Sequence, residues 1–333
     1  MQLRWQSYTL ELSHPFKIAH GTSHTRTAVL LDLDGGLGEA AVVEYHGESV
    51  ERVSAYLQEA AARLAEAPVT LQGRLALLPA RGSRAARAAV EMALFDLWGR
   101  ELGAPLWRLF GLDPQRAPLT SFTIAMGAPQ EMAELARAAK MPILKLKVGD
   151  EGDLERLEAV RAARPDARIR VDANGGWTPE VARRLIPELV RLGVEFLEQP
   201  LPPEARAAYA GLQGMGLPIF ADEPIKTVGD VVEWAPYVDG VVVKLAKSGG
   251  LAPARTMIET AHALGLEVML GCMVETRLAV GAASHLAPLA DHADLDGPLL
   301  IKNDPFGGLE YDGARLLLPE GSGLGVFRRR DVS

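Results

Sequence analysis

From Leu119 onward the sequence repeats one unit: a short apolar run, a charged or polar residue at its end, then an amphipathic helical stretch. The runs centre near residues 122, 145, 171, 197, 220, 243, 270 and 294, a period of roughly 25 residues. Eight strands alternating with helices call for parallel βαβ units, and eight of them favour a closed barrel over an open doubly wound sheet. The first strand is read as Ser121 to Met126. Helix starts follow the same division. Thr178-Pro179-Glu180 offers an N-cap, a proline at the first helical position and an early acid,. Ser248-Gly249-Gly250 precedes the sixth helix, and without Walker spacing it reads as ordinary loop chemistry in preference to a phosphate cradle,.

Residues 1–115 read differently, as an α+β domain: strands at Leu3 to Leu12 and Ala28 to Leu33, then alanine-rich helices near Val50 to Ala65 and Arg84 to Leu102. Residues 116–303 hold the barrel, and residues 304–333 form a C-terminal segment expected to return to the first domain through strands at Ala314 to Leu318 and Leu324 to Arg328. With 48% hydrophobic and 23% charged residues, the 333-residue chain can bury one large or two modest cores,. The net charge of −8 comes without a basic block, so no nucleic-acid partner is expected,. Met1 to Tyr8 carries no basic segment followed by an apolar one, and no run of ~18 uncharged apolar residues exists, so we expect a cytoplasmic protein with no membrane partner. Cys272, the sole cysteine, excludes an internal disulfide and a cysteine-based zinc cluster,.

The strand ends carry the chemistry. Lys145 and Lys147, Asp172, Glu198, Asp222, Lys244, and Asp294 with Asp296 terminate runs that should be buried. Ionised groups there cost several kcal/mol unless they pair or bind something, and in a barrel the C-terminal strand ends are where active sites lie. Asp172, Glu198 and Asp222 fall on neighbouring strands three, four and five, so their carboxylates can converge. An oxygen-only donor set of that kind is a magnesium-type site; the competing reading is a metal-free ion-paired cluster.

Lys145 and Lys147 share one face of their strand and each lowers the other's tendency to be protonated, which makes a neutral lysine base available. Lys244 ends strand six, across an eight-membered ring from strand two. A carbon acid held between the two lysine positions could lose its α-proton to one and regain it from the other on the opposite face, and a divalent cation would stabilise the charge gathering on the adjacent carboxylate. Racemisation or epimerisation follows. Lys247, beyond the strand end and on the other parity, is expected to be a solvated loop residue. Asp294 and Asp296, on one face of strand eight with no nearby lysine, could grip an ammonium group, against the alternative of an Asx-type turn. A carboxylate at strands three to five and an amine at strand eight span more than one amino acid and suit a dipeptide.

Taken together, Lys145-Leu-Lys147, Asp172-Ala-Asn174, Glu198-Gln-Pro200, Ala221-Asp-Glu223 and Lys244-Leu-Ala-Lys-Ser-Gly-Gly250 resemble the enolase superfamily, specifically its muconate-lactonising-enzyme-like subgroup. Within it, Asp294-Leu-Asp296-Gly-Pro298 resembles the dipeptide epimerases. The resemblance implies a modified TIM barrel, (β/α)7β, under an α+β capping domain completed by the C-terminal tail, with loops near 17–26 and 43–50 over the site. It implies Mg2+ on Asp172, Glu198 and Asp222, catalysis by Lys147 and Lys244, and substrate contacts from Thr123, Lys145, Cys272, Val274, Asp294 and Asp296. A homo-oligomer is the family expectation. Epimerases acting on Ala-Glu use an arginine in the first capping loop, where His20-Gly-Thr-Ser23 stands here, so Ala-Glu is not the expected substrate; His20 or His24 is an alternative side-chain contact, and Arg26 a structural partner at the strand start. The alternatives are an N-acylamino acid racemase, an o-succinylbenzoate synthase or another cycloisomerase of the subgroup, and, in a different class, a non-catalytic dipeptide-binding protein.

Overall fold

The computed structural model describes residues 1–18, 21–66, 69–150 and 152–329. Its N-terminal part is an antiparallel sheet of β1 (Leu3–Ile18), β2 (Gly21–Leu33) and β3 (Gly36–Val42), in that order. The helix Arg84–Glu101 lies directly on β3, because a Cβ at Gly36 or Gly38 would strike the carbonyl oxygens of Ala93 or Ala89. β1 and β2 run well past the expected Leu12 and Ala28. They pair as far as Phe16↔Ser23 and Ile18↔Gly21, with an irregularity between Glu11 and Phe16. Thr22, Ser23 and Thr25 suit an extended backbone but supply no apolar alternation, so the hairpin's outer part reads as loop in sequence. The expected cover at 17–26 is thus largely strand; His20 lies outside the described residues.

Eight parallel strands follow: β4 (Phe122–Ile124), β5 (Ile143–Lys147), β6 (Arg168–Asp172), β7 (Val194–Glu198), β8 (Ile219–Ala221), β9 (Gly240–Lys244), β10 (Glu267–Gly271) and β11 (His292–Asp294). Each pairs with its sequence neighbours. The ring is joined where Thr120 bridges Ala293 in parallel and Ser121 N–H donates to Ala293 O at 3.0 Å. The chain is therefore the expected modified barrel. Helices lie between successive strands, and the Thr178 hydroxyl caps the helix Pro179–Arg191 by accepting from Val181 N–H at 3.3 Å,. β11 is followed directly by a 3₁₀ turn, Gly297–Leu300, before the chain leaves the barrel.

Beneath the strand ends the barrel is filled. Phe196 and Phe220 stack with centroids 4.2 Å apart and pack with Val242 and Met269, while buried Arg170 lies over Phe196 and pairs with Glu195. This plug is a low-dielectric floor for the charged layer above. The tail returns to the N-terminal part: Leu106 N–H donates to Gly323 O and Leu324 N–H to Asp96 Oδ1. Two short pairs, Glu310–Asp312 with Arg315–Leu317 and Phe306–Gly307 with Phe327–Arg328, complete it. Among the described residues, no helix is long and apolar enough to cross a membrane.

Candidate active site

The parallel register lines up the charged strand ends. Lys147 is opposite Asp172 and Asp172 opposite Glu198 on one side, while Gly271 stands between Lys244 and Asp294 on the other. All of these side chains are buried at the barrel mouth. Lys145 Nζ lies 3.1 Å from Asp172 Oδ2, 2.6 Å from Glu198 Oε2 and 2.8 Å from Asp294 Oδ2. Lys147 Nζ donates to Asp172 Oδ2 at 2.6 Å, and Lys244 Nζ to Asp222 Oδ2 at 2.8 Å. Gly271 makes room for Lys244, since a Cβ there would stand 3.0 Å from its Cε.

Three expectations change here. Lys145 is not neutralised by Lys147: burial opposes its charge, but Asp294, Glu198 and Asp172 outweigh burial and hold it well above the usual lysine range. Lys244 is likewise raised, burial being overcome chiefly by Asp222, whose own carboxyl is held well below its ordinary value by Lys244, Lys247 and Lys145 against the opposing burial. Lys247 is not solvated; it is 3% exposed and donates to the carbonyl and Oδ1 of Asp222. Finally, Asp294 does have a nearby lysine. Its Oδ2 meets Lys145 and its Oδ1 accepts from Ser121 Oγ at 2.6 Å, while Asp296 Oδ2 accepts from Thr123 N–H at 2.6 Å. These cross-strand bonds also displace the Asx-turn reading.

Thr123, Lys145, Lys147, Lys244, Cys272, Val274, Asp294 and Asp296 line one cavity of about 60 Å³. Asp172, Glu198 and Asp222 are buried outside its lining and meet it through their ion pairs to Lys145, Lys147 and Lys244. The cavity's upper wall comes from the N-terminal part: Phe16 and Arg26 from β1 and β2, and Tyr45 from the 3₁₀ turn Glu44–His46. Arg26 and Tyr45 fall within the segments expected over the site, whereas Phe16 was not singled out. Arg26 lies over Phe16, 5.9 Å from the ring centroid, and among the described residues no carboxylate pairs with it. Burial lowers its pKa, with Tyr45 acting in the opposite sense. Two further residues brace the carboxylates. Gln199, at φ 40°, accepts Asp222 N–H on its Oε1 at 2.8 Å, and Asn174, at φ 43°, donates to Glu223 at 3.1 Å. Their positive φ at non-glycine positions marks backbone held by its surroundings; the sequence signal was their adjacency to the strand-end acids.

The donor set fits a hard cation. Glu198 is fully buried and, among the described residues, neither of its oxygens accepts a hydrogen bond, the Lys145 contact being an ion pair without hydrogen-bond alignment. A buried carboxylate in that state suits a cation partner. Among the described residues no three acidic, histidine or cysteine side chains stand in a ready-made cation cage, and lysine ammonium groups contact oxygens of Asp172, Glu198 and Asp222.

Comparison with known proteins fits this geometry. The family model described as enolase C-terminal domain-like matches residues 128–332, and that of the mandelate racemase / muconate lactonizing enzyme N-terminal domain matches residues 5–111. The chain is 37% identical over 338 residues to the L-Ala-D/L-Glu epimerase of Bacteroides thetaiotaomicron, across 98% of this chain and 88% of that protein. Among solved structures, a substrate-liganded L-Ala-D/L-Glu epimerase from Bacillus subtilis superposes with a TM-score of 0.91 at 30% identity, covering 98% of both chains. A dipeptide epimerase from Cytophaga hutchinsonii, complexed with Mg and D-Ala-L-Val, gives 0.92 at 27% identity, covering 99% of this chain and 96% of that one.

Proposed function

Since the chain belongs to the enolase superfamily, in its mandelate racemase / muconate lactonizing enzyme branch, and is an isomerase of the racemase and epimerase kind, we propose that it is a magnesium-dependent dipeptide epimerase inverting the α-carbon of the C-terminal residue. One observation carries this reading: Lys147 on β5 and Lys244 on β9, four strands apart in a ring of eight, line the same small cavity. An α-carbon between them presents one face to each amine. Lys147 takes or returns the proton on one face and Lys244 on the other.

Asp172, Glu198 and Asp222 would hold magnesium, which when bound supplies positive charge against the second negative charge that builds on the substrate carboxylate. Lys145 lies between these carboxylates and Asp294, where it is placed to steady the substrate carboxylate. Asp294 and Asp296 receive the dipeptide's ammonium group. The phenylalanine plug below excludes water and keeps these charge interactions strong,. Arg26 in the cavity wall removes the ground on which Ala-Glu was set aside, so acidic as well as apolar C-terminal residues belong among the substrates to be tried.

The test is incubation with Mg2+ and a library of L,L-dipeptides, with N-succinyl amino acids in parallel, followed by chiral separation of the products. Epimerisation confined to a subset of dipeptides is the expected result. Turnover of N-acylated amino acids alone would replace this reading with an N-acylamino acid racemase.

A further inference from the structure

β3 carries Gly36-Leu-Gly-Glu39, and its two glycines press the strand onto the helix Arg84–Glu101. That close approach directs Glu39, 1% exposed, away from its own domain and into the start of the barrel helix Arg277–Ser284. Glu39 Oε1 accepts Thr276 N–H at 3.1 Å, and Oε2 accepts the Thr276 hydroxyl and Ala279 N–H, the latter at 3.3 Å. A carboxyl group from one domain thus caps a helix of the other, where free N–H groups favour an acceptor.

The residues just before Thr276 are the strand-seven wall of the active cavity. Cys272, Met273 and Val274 line it, Glu275 Oε2 accepts Met273 N–H at 2.9 Å, and Cys272 N–H donates to Asp294 O at 3.1 Å. The far side of the same segment rests on Gly297, next to Asp296, where a Cβ would come within 2.8 Å of Met273 O. The segment is clamped between Glu39 on one side and the Asp294–Gly297 strand end on the other.

We propose that Glu39 is a positioning residue: through Thr276 it sets where Cys272, Met273 and Val274 stand against the substrate and against Asp294 and Asp296. Burial and the neighbouring Glu275 push the Glu39 carboxyl up to about 8, with Thr276 acting in the opposite sense. A glutamine there keeps one acceptor oxygen for the Thr276 N–H and can turn its amide N–H toward the Thr276 hydroxyl, giving up the longer bond from Ala279.

Cys272, the only cysteine, sits in the positioned segment and reports on it without any substrate. The experiment is alkylation of native protein by iodoacetamide, followed by mass spectrometry, with Glu39→Gln, Glu39→Ala and Thr276→Val alongside the unsubstituted chain. Glu39→Ala is expected to raise the labelling rate at least about tenfold by local opening, Thr276→Val by less, and Glu39→Gln by no more than about twofold. Where a substrate is in hand, Glu39→Ala should raise KM far more than it lowers kcat. Labelling of Glu39→Ala at the unsubstituted rate would overturn the proposal. So would a rise with the full urea dependence of global unfolding, since that reports a merely structural role. Should Glu39→Ala fail to fold, Thr276→Val decides alone, and an unchanged rate in that variant is equally fatal.

Discussion

Lys247 shows how much a single residue's environment can depart from strand logic. Parity counted from Lys244 sends it to solvent, but the strand ends at Lys244 and the chain turns at once into the helical segment Leu245–Ser248. There, residues three apart share a face, and Lys247 returns over Asp222 beside Lys244. Replacing it by methionine removes one partner of a buried ion pair, and we expect urea denaturation to show a loss of about 3 kcal/mol; a change under about 0.5 kcal/mol would mean that Lys244 alone satisfies Asp222. Asp294 gives a second test at this scale. Asp294→Asn is expected to cut dipeptide kcat/KM by about 100-fold, and unchanged kinetics would remove the ammonium from strand eight. The strand-end lysines and acids were legible because charge at the end of an apolar run has few bland explanations. Their pairing was not, because one Lys145 amine serving three carboxylates depends on distances across the barrel.

At the level of elements, the barrel strands were legible from period and polarity, with boundaries a residue or two long, as at β4. The β1–β2 hairpin was not. Its outer half pairs through backbone groups and buries little, so no apolar alternation announced that Phe16 and Arg26 would reach the cavity wall. β10 offers the sharpest prediction here. At Gly271 a Cβ would stand 3.0 Å from Lys244 Cε and 3.1 Å from Val242 Cγ1. The lysine chain can yield, so Gly271→Ala should cost stability modestly, about 1 kcal/mol, while the displaced amine lowers kcat by at least about tenfold. Thermal unfolding and steady-state rates measured on one preparation separate the two effects; a large loss of stability with kcat intact would place the strain in Val242 instead.

Over the whole molecule, the two parts are fastened by carboxyl groups set into helix starts, and neither contact could be foreseen, since each joins residues far apart in the chain. Glu39 caps the helix Arg277–Ser284, and Glu91 accepts Ala252 N–H at 2.6 Å at the start of Leu251–Ala263. Glu91 also fills the space above Gly250, and Arg87 that beside Gly249, so the glycine pair is packed by internal side chains of the helix Arg84–Glu101. Burial raises the Glu91 carboxyl from 4.5 to about 7, against bonds from Ala252 and Leu251 and the charge of Arg87. The folded state therefore holds a proton that the unfolded state releases, and stability falls as pH climbs from 4.5 through about 7,. Glu91→Gln should flatten that decline in urea titrations between about pH 5 and 8; an unaltered slope would show that Glu91 is ionised in the fold.

The proposed epimerisation requires two lysines addressing opposite faces of one carbon. The most direct measurement is α-proton exchange in deuterated water with Mg2+ present, started separately from each epimer of an accepted dipeptide, in Lys147→Ala and Lys244→Ala. Each variant should lose epimerisation, by at least about 100-fold, yet still wash deuterium into the one epimer whose proton faces the remaining lysine, and the two variants should favour opposite epimers. If both variants exchanged the same epimer, or if either still epimerised at the unsubstituted rate, the two-lysine mechanism would be wrong.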